Sequence, residues 1–303
     1  MSIDAIHPDW VAVDWGTTHV RVWLMSHDGR VLDHRRSDQG MGRLDQDQFE
    51  PVLTDLLAGV PPSQSLPVLI CGMAGSRQGW TEAPYVATPC SPPGIGQATR
   101  ARCKTWDVRI LPGVKQASPA DVMRGEETQI AGVLLEEPTF SGVLCLPGTH
   151  NKWVRIVKGR IVSFQTFMTG ELFALLEGQS VLRHSVATRG WDADAFDIGV
   201  SQGLDQPHAL AGALFSLRAE SLLNDLSGTA ARARLSGLLI GAELAATRPL
   251  WRDHKVAVLG GNDVAQSYEA ALAAQGAVLH ALDIDTPTLS GLRAAYAHLK
   301  ETT

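Results

Sequence analysis

The sequence has few cysteines, no long apolar run and no excess of basic residues, and each absence excludes a class of protein. Its 303 residues include only four cysteines, without the paired spacing of a zinc site or a disulfide framework. No stretch supplies the roughly 20 apolar residues of a membrane span. The formal net charge is −6, and basic residues form no block, which argues against nucleic acid and membrane surfaces as partners. Residues 1–9 lack the basic start and apolar core of a secretory signal, so we expect a cytoplasmic protein.

A short apolar strand that ends in an acid is the first feature with chemical content. Residues 11–19 read Val-Ala-Val-Asp-Trp-Gly-Thr-Thr-His, and a second β-type run follows at once. The carboxylate of Asp14 is suited to Mg²⁺, while Gly16, Thr17 and Thr18 supply N–H groups and hydroxyls for phosphate oxygens. The same pattern also fits an ordinary turn between two strands. We interpret this hairpin as a candidate site for a triphosphate and its Mg²⁺.

The same pattern is present a second time in the middle of the chain. Residues 144–156 again read strand, glycine-threonine tip, strand. In both copies a tight turn, a third strand and a glycine follow, the glycines being Gly40 and Gly170. A repeat of whole supersecondary units predicts two domains of similar topology. The copies differ at the acid, because Leu146 stands at the place of Asp14.

The second tip offers hydrogen-bond donors in place of a carboxylate. We expect it to bind phosphate through Gly148, Thr149, Asn151 and Lys152. Aligned from the tip, the ammonium group of Lys152 has no counterpart after the first tip. The alternative is a duplicated scaffold whose second tip is purely structural.

Five strings carry a resemblance to a known family. They are residues 14–18 (Asp-Trp-Gly-Thr-Thr), 71–80 (Cys-Gly-Met-Ala-Gly-Ser-Arg-Gln-Gly-Trp), 123–129 (Met-Arg-Gly-Glu-Glu-Thr-Gln), 146–153 (Leu-Pro-Gly-Thr-His-Asn-Lys-Trp) and 259–262 (Leu-Gly-Gly-Asn). With them the chain resembles the sugar kinase, heat-shock protein 70 and actin superfamily. More specifically, it resembles the 2-dehydro-3-deoxygalactonokinase family over about residues 10–299.

The resemblance implies an architecture and a division of labour. The fold class is α/β, a two-domain actin-like ATPase (ribonuclease H-like) fold with duplicated mixed-sheet domains and an interdomain cleft. A composition break at residues 136–142 separates an N-terminal domain, 1–138, from a C-terminal domain, 139–303. The first would form the sugar-acid and phosphate side and the second the ATP side, with the final helix packing back on the first domain.

The resemblance also implies a reaction. It is the ATP-dependent phosphorylation of 2-dehydro-3-deoxy-D-galactonate at its 6-hydroxyl in galactonate catabolism, with ATP and Mg²⁺ as cofactors. One alternative is a kinase of another sugar acid, such as 2-keto-3-deoxygluconate. A second is an actin-like, nucleotide-switched assembly protein. We expect a small sugar acid and ATP as partners, neither nucleic acid nor a membrane, and leave a homodimer open.

The proton acceptor is expected near a helix start. Residues 119–135 predict a helix whose first turn contains Asp121. Sugar kinases of the superfamily carry their catalytic aspartate at such a place, so the resemblance implies that Asp121 is the base and Asp14 the metal-bound acid. An Asp at a helix start is also a common cap, and Glu126 and Glu127 compete for the same role.

The substrate side is expected around a glycine-rich loop. An apolar run at residues 67–71 predicts a strand buried on both faces, and the loop at residues 72–80 follows its carboxyl end. Arg77 in this loop suits a bidentate bond to a carboxylate, or else a surface ion pair. The full predicted substrate-binding set is Arg77, Trp80, Arg124, Glu126 and Glu171. Related sugar kinases contact sugar hydroxyls with a glutamate at the place of Glu171, although an acid also suits a first helical turn.

The nucleotide base is expected near the C-terminal end. A buried-type strand at residues 255–259 leads into Gly260, Gly261 and Asn262 and then a helix, which resembles the adenosine-contacting segment of the superfamily. Another helix is predicted over residues 231–246, and its glycines indicate close packing. Residues 183–207 show little periodicity and carry no prediction.

Overall fold

The chain forms two compact units in a computed structural model that describes residues 6–260 and 263–301. Unit 1 runs to Phe140 and adds Val157–Ser163 and the segment from Ile284; unit 2 consists of Ser141–Ile156 and Phe164–Asp283. The first segment of unit 1 therefore ends beside the composition break. The predicted residues Gly261 and Asn262 lie outside the described residues.

The strands are β1 (Trp10–Trp15), β2 (Val20–Met25), β3 (Val31–Ser37), β4 (Ser63–Gly72), β5 (Val86–Ala87), β6 (Thr99–Arg100), β7 (Trp106–Ile110), β8 (Val114–Gln116), β9 (Asp121–Met123), β10 (Gly142–Leu146), β11 (Asn151–Val157), β12 (Arg160–Phe167), β13 (Lys255–Val258) and β14 (Val278–Leu279). The α-helices are α1 (Phe49–Leu56), α2 (Glu126–Glu136), α3 (Thr169–Gln179), α4 (Ala193–Asp205), α5 (Leu210–Leu223), α6 (Gly228–Ala246), α7 (Arg248–Trp251), α8 (Asp263–Ala274) and α9 (Pro287–Glu301).

The two main sheets begin in the same way. The six-stranded sheet has the order β3-β2-β1-β4-β7-β6 and the five-stranded sheet has the order β12-β11-β10-β13-β14. In each, an antiparallel hairpin leads into a parallel neighbour, β1 beside β4 and β10 beside β13. The predicted duplication of a mixed sheet is thus confirmed. A small sheet, β5-β8-β9, lies in the first unit.

The core of unit 1 is built from apolar strands and three aromatic rings. β1 and the second half of β4 are buried almost throughout, as expected for central strands. Trp15, Phe49 and Trp80 pack together with ring centroids 4.9–6.2 Å apart. The final helix, α9, packs on α2, because a Cβ at Gly291 would lie 1.9 Å from the Thr128 carbonyl oxygen.

The helices of unit 2 meet through glycines. A Cβ at Gly237 or Gly241 of α6 would lie 2.2 Å from the carbonyl oxygens of Phe196 and Val200 of α4, respectively. Close packing of α6 is therefore confirmed. The partner helix, α4, occupies part of the stretch for which periodicity gave no prediction. Its own glycines interrupt the apolar pattern there, and Gly199 faces α6 in the same way.

The predicted helix over residues 119–135 begins later than expected. Strand β9 occupies its first part, and α2 begins at Glu126 after Gly125, whose φ of 108° is unfavourable for a residue with a side chain. The small sheet recruits β9 by pairing it with β8, a long-range contact that local periodicity does not reveal. Within the described residues, no helix is long and apolar enough to cross a membrane.

Candidate functional site

The acid of the first hairpin is the penultimate residue of β1. Asp14 lies opposite Arg21, and its Oδ2 accepts hydrogen bonds from Arg21 Nη2 at 2.5 Å and Nε at 3.1 Å. Its Oδ1 accepts from the Cys71 thiol at 3.9 Å. Burial and then the charge of Asp14 raise the pKa of that thiol well above its usual value, so the thiol stays protonated. The Asp14 side chain is 20% exposed, which leaves the carboxylate accessible to a cation.

The tip of the first hairpin is held by its carbonyl groups. The backbone N–H groups of residues 40–42 donate to the carbonyl oxygens of Gly16, Thr17 and Thr18 at 2.9–3.1 Å. A Cβ at Gly40 would lie 2.3 Å from the Thr18 carbonyl carbon, so only glycine fits there. The side chains of Thr17 and Thr18 are exposed. The tip therefore presents its hydroxyls to solvent while its carbonyl oxygens face the protein.

Three segments of unit 1 converge beside this acid. A Cβ at Gly72, where β4 ends, would lie 2.6 Å from the Trp15 carbonyl oxygen and 3.5 Å from Asp14 Oδ1. A Cβ at Gly125, just before α2, would lie 3.5 Å from Gly72 Cα. The N-terminus of α2 is therefore brought to the end of β4, next to Asp14. A helix N-terminus carries partial positive charge and binds anions.

Two glutamates begin α2, and they have different environments. Glu126 is partly exposed, and its Oε2 accepts from the Arg124 N–H at 3.0 Å. Glu127 is 1% exposed, and both of its carboxylate oxygens accept from the Gly125 N–H at 2.8–2.9 Å. Burial, and to a lesser extent the charge of Glu126, raises the pKa of Glu127 to about 8. Burial therefore favours the protonated form of Glu127, and Glu126 is the more exposed of the two side chains.

Asp121 lies on β9, and its Oδ1 accepts from the N–H of the next residue at 2.7 Å. The expectation that it lies in the first turn of a helix is wrong, since α2 begins at Glu126. Its assignment as the base stays a prediction, but without the helix N-terminus that motivated it.

The two residues of the loop after β4 that were predicted to bind substrate have different environments. Arg77 is 81% exposed and lies 3.8 Å from Glu82, an exposed ion pair. Trp80 is 6% exposed and packs in the core of unit 1. The loop therefore offers Arg77 to solvent and uses Trp80 as an anchor.

Arg124 is a buried cation behind this loop. It is 8% exposed, its Nη2 donates to the Ala83 carbonyl oxygen at 2.8 Å, and its guanidinium lies 4.3 Å from the centre of the Tyr85 ring. Within the described part of the chain, its Nε and Nη1 have no hydrogen-bond partner. A Cβ at Gly75 would lie 2.7 Å from Nη1, so the loop backbone lies directly on the guanidinium.

The second hairpin tip, in unit 2, is held by a side chain. Gly148 and Thr149 are exposed, whereas Asn151 is buried and its Oδ1 accepts from the Gly148 N–H at 2.8 Å. Asn151 Nδ2 in turn donates to Glu243 Oε2 at 2.8 Å. Sequence reasoning missed Glu243, although a lone acid in an apolar helical stretch is a signal of a buried polar contact.

Lys152 is buried, so its ammonium group does not extend freely from the tip. In the β10–β11 register it lies opposite Leu146. Because side chains alternate along a strand, it points to the sheet face opposite that of Asn151 and Trp153.

The first turn of α3 packs against the second tip. The Glu171 N–H donates to the Thr149 carbonyl oxygen at 2.9 Å, and the Glu171 carboxylate lies 2.5 Å from His150 Nε2. Of the predicted adenosine segment, Gly260 is described and has a φ of 140°, which suits glycine.

Comparison with known proteins gives one consistent family. The sequence profile of the 2-keto-3-deoxy-galactonokinase family matches residues 14–295. A protein of Rhizobium meliloti (strain 1021), provisionally named a 2-dehydro-3-deoxygalactonokinase, is 42% identical over 293 residues, covering 94% of this chain and 96% of its own. The 2-dehydro-3-deoxygalactonokinase of Escherichia coli (strain K12) is 36% identical over 288 residues, with the same coverage.

Solved structures agree with the sequence relatives. A crystal structure from Sinorhizobium meliloti, provisionally named a 2-dehydro-3-deoxygalactonokinase, has a TM-score of 0.88 at 40% identity and covers 96% of both chains. Component A of (R)-2-hydroxyglutaryl-CoA dehydratase from Acidaminococcus fermentans has a TM-score of 0.51 at 11% identity, covering 97% of this chain and 99% of its own. The latter similarity concerns the fold alone, and it agrees with the actin-like ATPase class expected from the sequence.

Proposed function

The chain belongs to the 2-keto-3-deoxy-galactonokinase family, and from this premise we propose that it transfers the γ-phosphoryl group of ATP to 2-dehydro-3-deoxy-D-galactonate. It is a sugar kinase, a phosphotransferase. The acceptor atom is the 6-hydroxyl oxygen, and the products are ADP and the sugar-acid 6-phosphate. The observation that carries the proposal is the family match over nearly the whole chain, which includes both hairpin tips.

Asp14 is the proposed Mg²⁺-binding residue. No group of three or more His, Cys, Asp or Glu side chains suited to a metal occurs among residues 6–260 and 263–301. A single accessible carboxylate still fits Mg²⁺, which is commonly held by one or two carboxylates, water and substrate phosphates. The ion would neutralise charge on the transferred phosphoryl group. Thr17 and Thr18 lie beside Asp14 on the exposed tip and would donate hydrogen bonds to phosphate oxygens.

The exposed tip of unit 2 is proposed to contact phosphate as well. Gly148 and Thr149 are exposed, and Thr149 would offer its hydroxyl, while Asn151 fixes the tip by accepting a hydrogen bond from the Gly148 N–H. Lys152 would support this tip through its charge rather than reach out from it. Gly260 and its two successors would contact the adenosine.

Glu126 is proposed as the group that accepts the hydroxyl proton. It begins α2 directly after Gly125, which lies beside Gly72, and it is partly exposed. The neighbouring Glu127 is buried, and its raised pKa favours the protonated form, so it is less suited to accept the proton. Asp121, which was predicted as the base, lies on β9 and stays the alternative. Of the other predicted substrate-binding residues, Arg77 and Glu171 are accessible and would contact the carboxylate and the hydroxyls of the sugar acid, respectively. Arg124 and Trp80 are buried and would support the loop.

The test is ADP release by the purified protein with ATP and Mg²⁺. Acceptors should be compared at equal concentration: 2-dehydro-3-deoxygalactonate, 2-keto-3-deoxygluconate and no acceptor. We expect release that requires the galactonate-derived acid and prefers it over its epimer. Preference for 2-keto-3-deoxygluconate would make that acid the substrate in place of 2-dehydro-3-deoxygalactonate. Acceptor-independent release would refute the kinase and favour a nucleotide-switched assembly protein.

A further inference from the structure

Glu243 of α6 is a buried carboxylate to which donors from three other elements converge. It is 3% exposed. Its Oε1 accepts from Trp153 Nε1 at 2.6 Å. Its Oε2 accepts from Asn151 Nδ2 at 2.8 Å, from the Tyr268 hydroxyl at 2.7 Å and from the Thr169 hydroxyl. Four donors therefore converge on the carboxylate, three of them on Oε2.

Stability alone is a poor explanation for such a group. Removing a carboxylate from water is unfavourable, and apolar replacements of buried charged groups are often neutral or stabilising. A fully satisfied polar network instead fixes one geometry among the elements that supply its members. The question is therefore which geometry Glu243 fixes.

The three donors to Oε2 come from segments that border the second tip or follow the adenosine segment. Asn151 holds the Gly148 N–H through its Oδ1. Thr169 begins α3, where a Cβ at Gly170 would lie 2.1 Å from the Gly148 carbonyl oxygen. Tyr268 lies in α8, the helix after residues 260–262. One carboxylate oxygen thus joins the start of β11, the start of α3 and the middle of α8.

We propose that Glu243 is the positioning residue of the nucleotide half-site in unit 2, acting through Asn151 on the Gly148–Thr149 tip. The inference rests on the proposed function in one respect, that this tip contacts the nucleotide phosphates. Because Glu243 is 3% exposed, it would act through other residues rather than by contact with substrate. It sets the orientation of the Asn151 amide, and Asn151 sets the direction of the Gly148 N–H.

Substitution Glu243→Gln tests the inference with minimal change of volume. The NH2 group of the glutamine is a donor and cannot accept the hydrogen bonds that a carboxylate oxygen accepts. The Asn151 amide would therefore have to rotate or shift. We expect the KM for ATP and the Kd for ADP–Mg²⁺, measured by calorimetry, to rise about tenfold or more, since misplacement of about 1 Å can be that damaging. The KM for the sugar acid should rise less than the KM for ATP, because Glu243 is linked to Glu171 only through the start of α3.

Two further variants keep the test decisive. Glu220→Gln is the matched control, because Glu220 pairs with Arg234 at 2.5 Å on a partly exposed surface of the same unit and should leave ADP affinity unchanged. Tyr268→Phe removes only a hydroxyl, so it tests the same oxygen if Glu243→Gln does not fold. We expect it to weaken ADP binding in the same direction.

A double-mutant cycle tests the route through Asn151. If Glu243 acts through that amide, Glu243→Gln should weaken ADP binding little further in an Asn151→Ala background. Equal effects in both backgrounds, or unchanged ADP affinity in folded Glu243→Gln and Tyr268→Phe, would overturn the inference. Because ADP binding needs no acceptor, these results remain distinct from a failure of the sugar-acid assay, which would refute the proposed function instead.

Discussion

The two hairpin tips have the same topology but are fixed by opposite means. In unit 1, backbone N–H groups of residues 40–42 hold the tip carbonyls, and the charged pair Asp14–Arg21 lies partly in solvent. In unit 2, a buried side-chain network centred on Glu243 holds the tip, and a leucine stands at the place of the acid. The first tip lies beside a partly exposed carboxylate, whereas the second is held by a buried carboxylate and exposes Gly148 and Thr149. Duplication therefore preserved the hairpin while the two halves came to suit different contacts.

The strand registers refine this comparison. Asp14 lies opposite Arg21, seven residues later, whereas Leu146 lies opposite Lys152, six residues later. The second hairpin is thus one residue shorter, and Lys152 occupies the place of Arg21. Counting from the tip made Lys152 look unique, because sequence alone does not reveal the register. Both hairpins have a cation at this position, but only the first has an acid opposite it.

The largest expected effect follows from the acid that only the first tip has. Asp14→Ala should lower kcat/KM for sugar-acid-dependent ADP release about 10³-fold or more, because it removes the proposed Mg²⁺ ligand where charge develops. Asp28→Ala is the control, since Asp28 lies in the exposed β2–β3 turn and pairs with Arg30. Steady-state kinetics across Mg²⁺ concentrations provide the measurement. Activity retained in Asp14→Ala would mean that the metal is held elsewhere.

The second effect concerns Glu127, a buried glutamate of unit 1. Within the described part of the chain, Glu127 accepts hydrogen bonds from the Gly125 N–H and the Thr128 hydroxyl, and its pKa is raised from 4.5 to about 8. Between these values the folded protein holds a proton that the unfolded chain has lost, so the free energy of unfolding should fall as pH rises. The slope from this group is about 1.4 kcal/mol per pH unit.

Glu127→Gln should remove that slope and stabilise the protein relative to wild type at pH 8. Urea unfolding at pH 5, 6, 7 and 8 measures the free energy of unfolding of each variant. Glu82→Gln is the control, because it makes the same substitution at an exposed glutamate. Parallel pH profiles for wild type and Glu127→Gln would show that Glu127 is ionised in the folded protein.

Local patterns in the sequence were sufficient for much of this fold. Apolar runs predicted the central strands, the repeat predicted two similar sheets, and the glycines of α6 predicted its close packing. The start of α2 was misplaced because β9 forms only by pairing with β8, a contact between distant residues. Helix α4 was missed because its glycines, which meet α6, weaken the helical periodicity.

Candidate site residues were harder to predict than the fold. The type of Asp14 and its place at a strand end were visible in sequence. The exposure of Arg77 and the burial of Arg124 were not, because both are arginines near glycine-rich turns. Glu243 had a signal, being the only charged residue between Arg234 and Arg248. Its partners come from β11, α3 and α8, so only the three-dimensional structure identifies what it holds.

The third effect concerns the glycines on which the tips rest. Gly40→Ala and Gly170→Ala would each bring a Cβ within about 2.5 Å of a tip backbone atom, so each should displace its tip and reduce ADP–Mg²⁺ affinity about 10- to 100-fold. Gly178→Ala is the control, because nothing lies within 4 Å of its Cβ position in α3. It should stabilise the protein by about 0.5–1 kcal/mol. Unchanged affinity for only one of the tip variants would assign nucleotide binding to the other unit.

The smallest effect separates orientation from stability in the first hairpin. Arg21→Met removes the partner of Asp14, but the pair is partly exposed, and such pairs contribute about 1 kcal/mol or less to stability. We expect the unfolding free energy to change no more than in Arg30→Met, whose pair with Asp28 is more exposed. The kcat for sugar-acid phosphorylation should fall several-fold in Arg21→Met alone, because Asp14 loses the contact that fixes its carboxylate. Equal kcat values in both variants would show that Asp14 needs no partner. Arg21 and Lys152 would then share a position in their hairpins but no role in catalysis.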